Sequence, residues 1–327
     1  MKKLFLTMVT ALMSATMSFA QTSVIATLNH AGAITVFGGS SALQNAVTAA
    51  VTGDIITLSS GSFNGVTIDK AVTLRGAGME TDTINGVLPT IIAGNIVIKT
   101  AEPNLSVEGI SVTGTTSIQN YILTDALFQK CQFKEINGIF SNVSFLHCNI
   151  SSYIDIQSLS SSTPQSVSFI NCRVNDPRQS VSGCTSEFTN CYIYLNPNTT
   201  DPKNAIYTNC IINAQKKTSL PASPSMFSYC AAFLKDGADA FAGTQSVSCI
   251  SISDAFYSVI KEGSFYELRD EVKNIYVGND GTEMGLYGGN VPYETRILSP
   301  QITRCNVASK TTADGKLSVD IEVRVVE

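Results

Sequence analysis

Tryptophan is absent from the 327 residues, and histidine occurs only twice. Charged residues make up 14%, against ~25% in an ordinary soluble domain. So little histidine leaves scant material for a Ser–His–Asp triad or a zinc site. No tryptophan platform is available for stacking sugars. Lysine and arginine are outnumbered, and the net charge is −5. A nucleic-acid surface is therefore not expected, since phosphate neutralisation needs clustered cations. No apolar stretch after the N-terminal leader is long enough to span a bilayer, so no transmembrane segment is expected. Hydrophobic residues reach 44%, which excludes a disordered chain.

The first twenty residues read as a secretory signal peptide. Lys2 and Lys3 form a basic start, Leu4 to Met17 an apolar core, and Ser18-Phe19-Ala20 a small-x-small cleavage pattern. The chain is expected to be exported by a bacterium to the periplasm, the outer surface or the medium.

Nine cysteines are present, and seven of them mark a repeat. An aromatic residue precedes each of five cysteines by three positions: Phe128/Cys131, Phe145/Cys148, Phe169/Cys172, Phe188/Cys191 and Phe227/Cys230. Tyr207/Cys210 is a sixth copy and Cys249 ends a weaker seventh. The cysteines are spaced 17, 24, 19, 19, 20 and 19 residues apart. Side chains alternate along a strand, so residues three apart would face opposite ways. A two-residue corner between aromatic and cysteine turns both inward. The second corner residue is Lys130, His147, Asn171, Asn190, Asn209, Tyr229 and Ser248 in turn, with Gly109 in an earlier copy lacking cysteine. Asn and Gly tolerate the left-handed conformation of such a bend.

Strand, corner, strand and a variable loop make one coil of a solenoid. Irregular spacing excludes a six-residue left-handed repeat, and no leucine ladder is present. The expected fold is all-β: a right-handed parallel β-helix of about ten coils. A short helical cap (21–52) precedes coils at 53–261. Residues 262–295 are expected to close the C-terminal end. Residues 296–327 read as a β-hairpin, because Leu317 to Val325 alternates strictly and Asp314-Gly315 signals a turn.

Residues 42–78 carry A-x-x-x-A-x-x-G-D-x-I-x-L, then G-x-F-x-G-V-x-I-x-K-x-V-T-L-R-G-A-G. Here the chain resembles the pectin-lyase-like β-helix superfamily. Together with Asp280-Gly281-Thr282-Glu283-Met284-Gly285-Leu286-Tyr287-Gly288-Gly289, it resembles an uncharacterised group of exported Bacteroides-type β-helix proteins. The resemblance implies fold and export, and no particular reaction.

The ladder cysteines Cys131, Cys148, Cys172, Cys191, Cys210, Cys230 and Cys249 lack zinc-site spacing and read as buried free thiols. Cys184 and Cys305 lie outside the ladder. Asn171, Asn190 and Asn209 read as structural corner residues, with a polar binding strip as the alternative. His147 reads as a turn residue and His30 as part of the cap region. Gly76-Ala77-Gly78 lacks the third glycine and crossover helix of a nucleotide site.

Catalytic residues are unknown at this level. The nearest charged constellation is Arg173, Asp176 and Arg178, with Asp201 and Lys203 one coil on. A lyase would use Lys203 as base and Arg178 as charge clamp. Solvated loop charge is the plainer reading. Tyr192 and Tyr194 offer aromatic surface, while Tyr207 should point inward. No cofactor or metal is expected, and Ca²⁺ only for a lyase. The function expected is a non-enzymatic exported protein that binds a glycan or cell-surface partner. The alternatives are a polysaccharide lyase or hydrolase, and a purely structural surface component. A groove with convergent Asp, Lys or Arg would favour the enzyme, and a flat Ser/Thr/Asn-lined face would favour binding.

Overall fold

A computed structural model describes residues 24–157, 165–179, 183–214, 217, 219–222, 224–235, 238–252 and 258–297, with 301–307, 311, 314–315 and 319–324 near the end. The expected signal peptide at 1–20 lies outside the described residues.

The fold is a parallel β-solenoid of about nine turns, close to the ten coils expected. Two long walls carry it. From Ile55–Leu58 (β3) onward, ten strands stack in parallel in the first wall, ending at Gln245–Val247. Ten more, from Gly61–Ile68 (β4) to Ile250–Ser251, stack in the second. The N-terminal end is capped differently. Ile25–His30 (β1) pairs antiparallel with β3, and Ala33–Gly38 (β2) pairs antiparallel with β1. The helix α1 (Ala42–Ala49) buries Ala42, Leu43, Ala46 and Val47 against this end. Its apolar spacing made it legible. Ser41 stands at its start, and no side-chain capping hydrogen bond forms there.

From Gly109 onward each corner after the first wall holds the expected residue in left-handed backbone: Gly109, Lys130, His147, Asn171, Asn190, Asn209, Tyr229 and Ser248 all have φ between 47° and 68°. The bend restores inward parity. Phe128, Phe145, Phe169, Phe188, Tyr207 and Phe227 are buried and stack ring on ring at 4.7–5.0 Å between centroids. That separation is the strand spacing within a sheet. Tyr207 points inward as expected.

The cysteines follow the rings. Cys148, Cys172, Cys191, Cys210 and Cys230 are buried, and each thiol lies 3.3–3.4 Å from the carbonyl of the aromatic residue one coil back. Such weak S–H donors serve the interior as small apolar groups. Burial pushes the thiols of Cys148, Cys191, Cys210 and Cys230 well up. It takes Cys184 to about 11. Cys131, Cys148, Cys172, Cys184, Cys191, Cys210, Cys230 and Cys249 are all free thiols.

The segment after the last coil follows the flank of the solenoid. Chain order along it opposes the order of the coils: Gly285 N donates to Asn209 O, Val291 O meets His147, and Arg296 O meets Lys130. Ile297 reaches Gly109. Beneath this strap lies a second apolar core. One outward row of the second wall changes from Asn149 and Arg173 to Tyr192, Ile211, Ala231 and Ile250. Its apolar half packs with Val259, Leu268, Tyr276, Met284 and Leu286. Beyond the strap, Gln301–Val307 and Val319–Arg324 pair as an antiparallel hairpin.

Candidate functional site

Three surfaces compete for a role: the corner ladder, the charged loops, and the outer face of the first wall.

The corner ladder is occupied by the strap. The Asn171 amide donates to the carbonyls of Leu286 and Gly288 at 2.7 and 2.8 Å. Asn209 accepts from Asn279 N and donates to Asn279 Oδ1, both at 2.9 Å. Asn190 lies against Gly289, where any Cβ would collide with its amide. His147 Nε2 meets Val291 O at 3.1 Å, and Lys130 Nζ donates to Arg296 O at 2.6 Å. Burial lowers the pKa of His147 and Lys130, with Glu294 and Glu108 opposing it at the lysine. The 280–289 motif is therefore read by this ladder. Gly281, Gly285 and Gly289 have φ of 79–88°, and a Cβ on Gly288 would sit 1.8 Å from Glu283 O. Asn171 and Asn209 bond the strap and Asn190 lies beneath Gly289, so no open strip is left at these corners.

The charged loops are largely satisfied among themselves. Asp176 is buried and accepts from Arg178 Nε at 2.8 Å, from Asn196 at 3.2 Å and from Thr199. The Arg178 guanidinium lies 3.9 Å from the Tyr153 ring centroid, within cation–π range. Tyr153 reaches Glu135 Oε2 at 3.3 Å, and Thr115 donates to the same oxygen at 2.9 Å. Asp201 pairs with Lys217 at 2.8 Å, both largely buried. Burial raises the Asp201 pKa, and Lys217 opposes the shift. Lys203, the base of the lyase reading, is exposed. Arg173 points the other way, donating to Asn149 Oδ1 at 2.9 Å with Tyr266 5.1 Å away. The five candidates are thus spread over separate contacts, with Asp176 and Arg178 brought together. Tyr192 is buried under Tyr266, 3.9 Å between centroids, and is not surface. Sequence reasoning missed Glu135, Tyr153 and Lys217, which lie outside the counted repeat.

The outer face of the first wall is different in kind. Register stacks Ile55, Thr73, Ser106, Leu127, Ser144, Ser168, Glu187, Ile206, Met226 and Gln245 in one outward row. The next row is Thr57, Arg75, Glu108, Gln129, Leu146, Ile170, Thr189, Thr208, Ser228 and Val247. Only Arg75, Glu108 and Glu187 are charged, and Arg75 lies 3.9 Å from Glu108. The rest are hydroxyls and amides interrupted by apolar side chains, of which Leu127, Ile170, Met226 and Val247 are exposed. Ser144 and Ser168 share a hydrogen bond of 2.9 Å across adjacent coils.

Among the described residues no three His, Cys, Asp or Glu side chains gather to hold a metal ion, and no helix is long and apolar enough to cross a membrane. No protein-family model matches the chain, and no curated protein or solved structure matches it.

Proposed function

We propose that the protein is an exported, non-enzymatic β-helix that holds an uncharged glycan or another uncharged cell-surface polymer along the outer face of its first wall. The observation behind this reading is that face itself. Ten parallel strands make it long, and a hydroxyl or amide group recurs on every coil, ~4.8 Å apart. An extended polymer gains by contacting many equivalent rungs at once, a habit of solenoid surfaces. Hydroxyl rows match sugar hydroxyls as donors and acceptors. Interspersed apolar side chains suit the faces of sugar rings. A single unpaired carboxylate, Glu187, gives an acidic polymer nothing to neutralise it.

The likeness of residues 42–78 to the pectin-lyase-like superfamily, and the signal-peptide pattern at 1–20, belong to the same proposal. They supply the expectation of export and a superfamily in which polymer contact is natural. The mutual pairing of Asp176 with Arg178 and of Asp201 with Lys217 supports binding over lytic chemistry, because paired and partly buried charges are poor general bases.

The test is incubation of the purified protein with immobilised and soluble polysaccharides, neutral and acidic, with and without calcium. Retention on a neutral polysaccharide, with no unsaturated-uronate absorbance and no new reducing ends, is the expected result. Product from any polysaccharide, lost in Lys203→Ala or Arg178→Ala, would replace the reading with a lyase or hydrolase.

A further inference from the structure

Among the described residues the first wall does not end at a protected edge: β2 pairs with β1 on one side, and no described strand pairs with it on the other. Its sequence is Ala33-Ile34-Thr35-Val36-Phe37-Gly38, uncharged and rich in β-branched residues. Ile34 is 60% exposed and Val36 is 51% exposed. Proteins ordinarily guard such edges with lysine, proline, a bulge or a covering loop. Here the guard is missing on a wider scale: from Gln21 to Gly53 the chain contains no Asp, Glu, Lys or Arg.

The direction of the free backbone groups follows from the hairpin. Ala31 and Gly32 form a two-residue turn with φ of 49° and 90°, and His30 is paired with Ala33. In such a turn the flanking pair exchanges hydrogen bonds, and bonding pairs then alternate. Gly39 N donates to Val24 O at 2.9 Å, in phase with that alternation. Ala33, Thr35 and Phe37 therefore bond to β1. Ile34, Val36 and Gly38 direct their N–H and C=O groups to the open edge.

We infer that two copies of this chain pair edge to edge through β2, antiparallel, about a two-fold axis at Thr35. The strand is self-complementary in this register. Ile34 faces Val36 of the second copy, and Val36 faces its Ile34, so two β-branched pairs form on the outer face. The same two residues exchange four backbone hydrogen bonds across the axis, and Thr35 meets Thr35. Such an isologous contact closes at two copies. It joins six residues to six. The opposite open edge of the wall, Gln245–Val247, is only three residues long, so head-to-tail joining offers half the ladder. Paired this way, the two polymer-facing walls become one continuous sheet. A contact this small belongs to the weak, concentration-dependent class.

Sedimentation velocity of the purified protein over a dilution series tests the pairing. The wild type should pass reversibly from monomer to dimer and no further. Ile34→Lys/Val36→Lys should be monomeric throughout, with unchanged far-UV circular dichroism and thermal midpoint, because both side chains are exposed. Val36→Pro removes one open-edge N–H without adding charge and should also be monomeric. Val247→Lys should dimerise as the wild type does. A wild type that stays monomeric at every concentration, or grows beyond dimers, overturns the inference. So does association that survives the β2 variants or is abolished by Val247→Lys.

Discussion

Asn171 reaches across 115 residues of sequence to donate its amide to Leu286 O, and across 117 to Gly288 O. One side chain, held in left-handed backbone at a coil corner, thereby satisfies two carbonyls of the C-terminal strap. Asn171→Ala should strand those buried carbonyls and cost about 1–3 kcal/mol for the lost bonds. Asn171→Gly keeps the corner conformation and removes only the amide, so it isolates the bonds from backbone strain. Limited proteolysis should cut both variants faster within 258–297 while the coils resist. Unchanged cleavage would show that the strap is held by its apolar core alone.

Gly288→Ala attacks the same lock from the other side. Its Cβ would lie 1.8 Å from Glu283 O, a contact that only backbone movement relieves. Hydrogen exchange should quicken at 280–293 and not in the aromatic stack. Protection equal to wild type in that segment would contradict the packing described.

The aromatic stack and the cysteines were legible in the sequence because parity is local: Phe169 and Cys172 share an interior only if a corner separates them. The strap was not legible in this way. Its hydrogen-bond partners among the corner residues lie 70 to 166 residues away, and no periodicity in 262–295 announces which surface it follows. The burial of Tyr192 under Tyr266 depends on that same distant strap, whereas Asp201 and Lys217 lie only 16 residues apart and meet through the irregular loop between their coils. The hydroxyl rows of the outer face emerge only once loops of unequal length have fixed the register. Within the stack, Phe169→Ala should lower unfolding free energy by about 3–5 kcal/mol. Chemical denaturation checks this, and a loss under ~1 kcal/mol would contradict a closely packed interior.

Thiol chemistry offers a second view of the interior. The native protein should react sluggishly with a thiol reagent at the eight cysteines whose side chains are described, since seven of them are buried and Cys249 is only partly exposed. Denatured without reductant, it should release at least those eight thiols at once. A markedly lower count would mean disulfides in the ladder and a different stacking of coils.

His147 makes strap docking sensitive to acid. Burial lowers its folded-state pKa below the unfolded value of about 6.5. The unfolded chain therefore binds the proton more readily. The contribution to stability is complete above about pH 6.5 and is lost as pH falls through the lower folded-state value. His147→Asn suits the left-handed corner and does not titrate. Its stability should fall less steeply than wild type as the pH drops below 6.5, measured by thermal midpoint across that window. Parallel curves for the two proteins would remove His147 from the acid response.

The reading of the molecule as a binding solenoid rests on which surface touches the polymer. The decisive measurement is a set of binding isotherms on the neutral polysaccharide that retains the wild type. Ser144→Lys/Ser168→Lys places two charges mid-way along the hydroxyl rows and should weaken binding by about tenfold or more, while Lys203→Ala and Arg178→Ala leave it unchanged. Undiminished binding by the serine variant, or loss of binding in the loop variants, would contradict the account and move the site to the charged loops.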